Sequence, residues 1–136
     1  MSAFSVKKAI RLHLSTMPSV PATAYEAMSF DAPDDDVYLR LQFVVNTPDD
    51  PTLGVGYYRE RITAQIFVVD SAGHGTGTAE QLAETIRQHF KKGTTLIQDG
   101  VRIQVLTTPQ ISGSVVLQNK LIIPVMINVV GEVFTA

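Results

Sequence analysis

The sequence predicts an α+β fold: a two-layer sandwich in which two helices cover one face of a mostly antiparallel, four- to five-stranded sheet. Two observations predict this fold. Two segments carry apolar residues at helical spacing, and several others alternate apolar with polar residues so that one face is apolar. The chain has 136 residues, of which 45% are hydrophobic, so we expect one domain, residues 1–136, with a substantial hydrophobic core.

Two helices are predicted from apolar stripes. The first stripe comprises Val6, Ala9, Ile10, Leu14 and Met17, and the second comprises Ala79, Leu82, Ala83, Ile86 and Phe90. Pro18 and Pro21 end the first helix, because each removes a backbone donor and disfavours helical backbone in the residue before it. Gly93 supplies a left-handed stop after the second helix. Thr78 and Gln81 are predicted to form a capping box at its start.

The strand-like segments are 37–45, 58–69, 101–106, 115–117 and 121–129, and the first two are expected to pair. Asp99 and Gly100 mark a tight turn before the third. Pro124 lacks the N–H that a central strand donates, so the last strand is predicted to lie at an edge or to carry a bulge there.

The connection from Asn46 to Tyr57 is longer than a hairpin turn requires, and it contains two prolines and two glycines. It has little apolar content to fold it. We therefore expect this connection to be mobile in the free protein and ordered only against a partner.

Composition excludes several classes of protein. The chain has no cysteine, which excludes a disulfide framework and thiolate chemistry, and its net charge of −2 gives no global attraction to nucleic acid. Its first residues lack the apolar core of a secretory signal, so we expect it to stay in the cytoplasm where it is made. The longest apolar run, 121–130, is interrupted by Pro124 and Asn128 and is too short for a transmembrane helix, so no membrane association is predicted.

A glycine-rich segment, GHGTGTAE, lies between the second predicted strand and the second predicted helix. Its spacing fails the dinucleotide-binding pattern, and it lacks the lysine of a P-loop. Glu80 and Glu84 also place negative charge at the helix start, where a phosphate is favoured by a bare positive dipole end. The segment is interpreted as a corner between strand and helix.

No other pattern predicts catalysis, a cofactor or a metal. His13, His74 and His89 are scattered along the chain, without the close spacing of a metal site. The acidic run 31–36 lacks the glycine and closing glutamate of an EF-hand loop, and SGS at 112–114 is not a nucleophile elbow. The only indication of single-stranded nucleic-acid binding is a short aromatic and basic group: Tyr57, Tyr58, Arg59 and Arg61.

Charge is distributed unevenly along the chain. Acidic residues crowd the region 31–50, whereas basic residues lie on the two predicted helices: Lys7, Lys8, Arg11, Arg87, Lys91 and Lys92. Opposite surfaces of this kind can complement each other in a head-to-tail contact between copies of one chain.

The segment GHGTGTAEQLAETIRQHFKKGTTL resembles the tail terminator proteins of long-tailed bacteriophages. The flanking segments YYRERITAQIFVV, VRIQV and LIIPVMINV, and the earlier DVYLRLQFVVNTPDDPTLG, are similar to the same family. The similarity covers most of the chain from Tyr25 onward. It rests on a glycine loop, a helix ending in phenylalanine before a glycine, and a closing strand around Pro124 and Val125.

The resemblance implies a structural virion protein without enzymatic activity. Such a protein forms a ring, of six copies in tail terminators, on the last ring of tail-tube protein, where it stops polymerisation and presents the surface to which the head joins. Its partners are then further copies of itself, the tail-tube protein and a head-completion or connector protein, and DNA passes through the ring without specific binding. Its location is the head-proximal end of the tail, after assembly in the host cytoplasm.

Within such a ring, we predict that Asp34, Asp35 or Asp36 faces an arginine or lysine of the neighbouring subunit. The candidate contacts with a neighbour or with the tube are Asp34, Asp35, Asp36, Tyr57, Arg59, Arg61, Lys7 and Arg11. Two alternatives stay open. One is another head–tail connector or minor tail protein, and the other is a small ligand-binding α+β domain that uses the Gly73–Gly77 loop.

Overall fold

Two long antiparallel strands form the centre of the sheet in the computed structural model, which describes residues 2–26, 30, 36–51, 53–73 and 75–134. The helices are α1 (Ser2–Ser15) and α2 (Gly77–His89). The strands are β1 (Thr23–Ala24), β2 (Tyr38–Val45), β3 (Tyr57–Ser71), β4 (Thr95–Gln98), β5 (Val101–Val105), β6 (Gln110–Ile111), β7 (Val115–Leu117) and β8 (Lys120–Phe134). β3 and β8 have 15 residues each and pair along their whole length.

The sheet is larger than the sequence predicted. Its strand order is β1-β2-β3-β8-β5-β4, with β6 and β7 also paired to β8, so the described residues form eight strands. The sheet is curled. It is also mixed, because β1 runs parallel to β2 while the other pairs are antiparallel. The α+β class is confirmed, and β2 pairs with β3 as expected. The simple two-layer sandwich of four to five strands is wrong, because β1, β4 and β6 also join the sheet.

β8 lies inside the sheet, so the prediction of an edge strand at Pro124 is wrong. On one side β8 pairs with β3, and on the other it pairs in turn with β5, β6 and β7. Ile111 pairs with Val125 and Val115 with Ile122, so three residues, 112–114, face two on β8. The extra residue belongs to the segment opposite β8, whereas β8 keeps an unbroken register with β3 through Pro124, so the alternative of a bulge in the last strand is wrong too. The break between β6 and β7 lies where proline has no N–H to donate.

Side chains alternate between two faces of the sheet, and both helices cover the same one. On β8 the buried residues are those with odd numbers from Leu121 to Val133. Their neighbours on β3 are almost completely buried: Ile62, Ala64, Ile66 and Val68. The helices add Val6, Ile10, Leu14, Ala79, Ala83, Ile86 and Phe90 to the same cluster. We call the opposite face of the sheet the outer face.

The helix ends agree only partly with the sequence patterns. α1 ends at Ser15, before Pro18 as predicted, and Gly93 has the expected positive φ of 89°. α2 begins at Gly77, and its N-cap is Thr76, whose side chain makes no capping hydrogen bond. Before it, Gly73 and Gly75 have positive φ values. The capping box at Thr78 is therefore wrong, because Thr78 lies inside the first turn.

The predicted tight turn joins β4 to β5 and holds α1 against this hairpin. Asp99 and Gly100 have φ values of 54° and 79°, which two-residue hairpins require. The buried Ser5 hydroxyl donates to Asp99 Oδ2 at 3.1 Å. Hydrogen bonds from the Gln98 amide and from Ser5 lower the pKa of Asp99.

No helix in the described ranges is long and apolar enough to cross a membrane.

Candidate assembly surfaces

The outer face of the sheet is divided along its strands into three zones. At the end where β2 begins lies a cleft of about 320 Å³, which we call the outer-face cleft. Its apolar lining consists of Tyr38, Phe67, Val69, Leu117 and Ile122, and Arg40 and Lys120 add positive charge to its wall. A neutral polar zone and a charged zone follow toward the other end of β2 and β3.

Hydrogen-bonded neutral side chains cross the middle zone. Asn46 Nδ2 donates to Thr63 Oγ1 at 3.3 Å, and the Thr63 hydroxyl donates to Asn128 Oδ1 at 3.0 Å. Asn128 Nδ2 in turn lies 3.5 Å from Thr107 Oγ1. These side chains satisfy one another, so the middle of the outer face carries no charge that attracts phosphate.

The charged zone brings together two of the predicted contact residues, Tyr57 and Arg59. Arg59 Nε donates to the Tyr57 hydroxyl at 3.2 Å, and Arg59 Nη1 lies 3.8 Å from Asp49 Oδ2. The Tyr57 hydroxyl also lies 3.5 Å from Glu132 Oε1. The hydrogen bond to Tyr57 raises the pKa of Arg59. Arg59 is thus engaged within its own subunit, and Arg61 lies two residues further along the same face.

The connection between β2 and β3, residues 46–56, is hydrogen-bonded at its base and has exposed side chains at its tip. We call it the tip loop. Backbone hydrogen bonds of 2.9 and 2.8 Å join Asp49 and Arg59 in both directions, and Asn46 N donates to Arg61 O at 2.9 Å. Beyond this base, Leu53 and Val55 are 107% and 99% exposed. They are the most exposed large apolar side chains in the described part of the chain. The predicted ordering of this loop by a partner stays a prediction.

The remaining predicted contact residues lie apart from the charged zone. Lys7 Nζ and Arg11 Cζ lie 5.6 and 5.9 Å from the centre of the Phe43 ring, so both cations cover the helix side of β2. Asp36 is exposed just before β2. Asp34 and Asp35 lie outside the described residues. Lys91 and Lys92 follow α2 rather than forming part of it.

The glycine-rich segment joins the end of β3 at Ser71 to the start of α2 at Gly77. Glu80 and Glu84 line both shallow depressions on the neighbouring surface of α2. Negative charge there opposes phosphate binding. His74 lies outside the described residues.

A feature that the sequence did not reveal joins the C-terminal ends of the two helices. The His13 and His89 rings are stacked, with centroids 4.0 Å apart and an interplanar angle of 14°. His13 Nε2 lies 2.8 Å from the His89 carbonyl, and His89 Nε2 lies 2.6 Å from the His13 carbonyl, so each ring donates to the other residue's backbone. Both rings contact the edge or face of the buried Phe90. These two hydrogen bonds join the ends of α1 and α2, although the two histidines lie 76 residues apart in sequence.

Within the described ranges, no group of three or more potential ligands could hold a metal.

The histidine pair predicts a pH-dependent stability. Burial lowers the pKa of His13 below 6.5, so the unfolded chain takes up this proton before the folded chain does. The contribution of His13 to the free energy of unfolding is therefore expected to be constant above about pH 7 and to be lost as the pH falls from 6.5 toward the lower pKa of the folded state. Urea unfolding of the wild type and of His13→Gln between pH 5.5 and 8 measures this. The variant is expected to show a smaller decrease, and an equal decrease in both proteins would contradict the assignment to His13.

The α+β fold presents exposed apolar and charged surfaces of the kind through which proteins contact other chains. The model of the phage tail terminator protein family matches residues 5–128. The chain belongs to this family of phage tail proteins, as the sequence resemblance predicted.

No curated protein matches the chain. A solved structure of a protein without a descriptive name is similar at a TM-score of 0.75 and 20% identity, over 100% of this chain and 99% of the other. At that identity the likeness shows a shared fold. Family membership gives the chain a structural role in the phage tail, in a family that is not enzymatic.

Proposed function

We propose that the chain forms a ring of six copies that caps the phage tail tube, stops its polymerisation and provides the surface to which the head joins. The observation that carries this proposal is the family match over residues 5–128. The proposed location is the head-proximal end of the tail, and the proposed partners are the tail-tube protein and a head-completion or connector protein.

The surfaces of the subunit support an assembled state. Large apolar side chains are exposed at the tip loop and on β7, where Val115, Val116 and Leu117 are all more than half exposed. A head-to-tail ring requires two different surfaces on each subunit, and these two lie at opposite ends of β3. The uncharged middle zone of the outer face is compatible with DNA passing through the ring without specific binding.

The proposal is tested by mixing the purified chain with tail-tube protein and measuring mass by light scattering and shape by negative-stain imaging. We expect a ring with the mass of six chains of 14.8 kDa, seated at one end of each tube. Tube protein alone is the control. Binding along the side of the tube, or no ring in the mixture, would contradict the proposal and favour a minor tail or other connector role.

A further inference from the structure

The tip loop and the outer-face cleft have complementary chemistry. The loop presents two apolar side chains, Leu53 and Val55, beside the carboxylates of Asp49 and Asp50. The cleft has an apolar lining and the cations Arg40 and Lys120 in its wall. A leucine that stands fully in water gains free energy when it enters an apolar recess, and opposite charges around the recess steer and orient the contact.

The base of the loop is held in place before binding. Its base is fixed by the two backbone hydrogen bonds between Asp49 and Arg59 and by the ion pair between their side chains. Pro48 and Pro51 restrict the backbone on either side of the two aspartates. The base then loses few conformations on binding, and only the tip beyond it has to become ordered.

A loop cannot fill the cleft of its own subunit. β2 begins with Tyr38 in the cleft and ends with Val45 beside the loop base. The cleft extends along β2 as far as Gln42, which pairs with Gln65 on β3, whereas Asp49 at the loop base pairs with Arg59. These two positions on β3 lie six residues apart at about 3.3 Å each, so roughly 20 Å separates the near edge of the cleft from the loop base. The pairing of Val45 with Ile62 and then of Asp49 with Arg59 continues the hairpin away from the cleft, so the tip of another copy is the occupant that fits it.

We propose that the tip loop of one subunit inserts Leu53 into the outer-face cleft of a second copy of the chain, with Asp50 facing Arg40. This inference rests on the proposed ring, because it names the contact that holds neighbouring subunits together. Two different patches at opposite ends of the same strands generate a head-to-tail contact, which closes into a ring when the rotation between subunits permits.

The absence of cysteine from the chain makes disulfide trapping a direct test. Two single-cysteine variants, L53C and L117C, are mixed with tail-tube protein and oxidised, and the product is analysed on a non-reducing gel. Leu117 is 58% exposed at the cleft. The matched control replaces L117C by I97C, because Ile97 is 75% exposed but lies on β4 at the far edge of the sheet. We expect at least fivefold more covalent dimer from L53C with L117C than from L53C with I97C.

A charge exchange tests the second part of the contact. Asp50→Lys and Arg40→Glu are each expected to weaken subunit association at least tenfold, and the double variant is expected to recover to within threefold of the wild type. Additive losses in the double variant would overturn the pairing of these two residues. Loss of tube binding by Leu53→Asp with an unchanged ring mass would assign the tip to the tube and overturn the inference.

The trapping experiment separates this inference from the proposed function. A ring of six copies whose trapped dimer does not exceed the control overturns the inference and leaves the function standing. A trapped dimer in a mixture that never forms a capped tube supports the contact and contradicts the function. Absence of both the ring and the trapped dimer contradicts both.

Discussion

Replacing Phe90 by alanine is expected to lower the free energy of unfolding by about 3–5 kcal/mol, the usual cost of removing a buried aromatic ring. Phe90 is 0% exposed and is among the largest fully buried side chains of the core. It follows α2 directly and contacts both His13 and His89. Its removal therefore leaves a cavity and also loosens the pair that joins the two helices.

Thermal and urea unfolding measure this loss, with roughly 3–6 °C of Tm expected for each kcal/mol. The matched control is Phe4→Ala, because Phe4 is half exposed on α1 and contacts only the Lys8 cation among the ring interactions of the described residues. The control is expected to cost at most about 1 kcal/mol. Equal losses for the two variants would contradict the position of Phe90 in the core.

Replacing Gly131 by valine is expected to displace α1 from the sheet and to cost at least about 3 kcal/mol, the upper range for overpacking a core. A Cβ atom at Gly131 lies 2.6 Å from Val6 Cγ2 and 3.2 Å from Val101 Cγ1. Val6 is fully buried, so it has no open space into which to move. Glycine is required here by the close approach of the helix.

The series Gly131→Ala and Gly131→Val should show a loss of stability that grows with side-chain volume. Gly113→Ala is the control, because a Cβ atom there meets nothing within 4 Å and the residue has no positive φ. The control is expected to change the free energy of unfolding by less than about 0.5 kcal/mol. A tolerated valine at Gly131 would contradict the packing of α1 against β8.

The long elements could be predicted because their residues repeat a simple period. β3 and β8 alternate over many residues, and the stripe of α2 from Ala79 to Phe90 has helical spacing. β1 and β6 have two residues each, which is too few to define a period, and β4 has four. Pro124 indicated that the last strand lacks one backbone donor, but the sequence could not decide how the sheet accommodates this missing donor. The structure accommodates it in the neighbouring segment, because residues 112–114 separate β6 from β7 opposite Pro124.

The surfaces were less predictable than the core, because they depend on residues that are distant in sequence. His13 and His89 each look isolated, and only the packing of two helix ends brings their rings together. Tyr57 and Arg59 were singled out as contact residues, but their bonds within the subunit require Asp49 and Glu132 from other segments. The cleft combines β2, β3, β7 and β8. The sequence indicated only that the tip loop has little apolar content, and the structure showed that Leu53 and Val55 are exposed there.

Tube length is the most direct measure of the central claim that this protein caps the tail tube. Tail-tube protein is polymerised with increasing molar ratios of the chain, and the lengths are measured by electron microscopy. The account predicts that the mean length falls as the ratio rises and that each shortened tube carries one ring at its end. Tubes whose lengths do not change at any ratio, although the chain is folded and in excess, would contradict it.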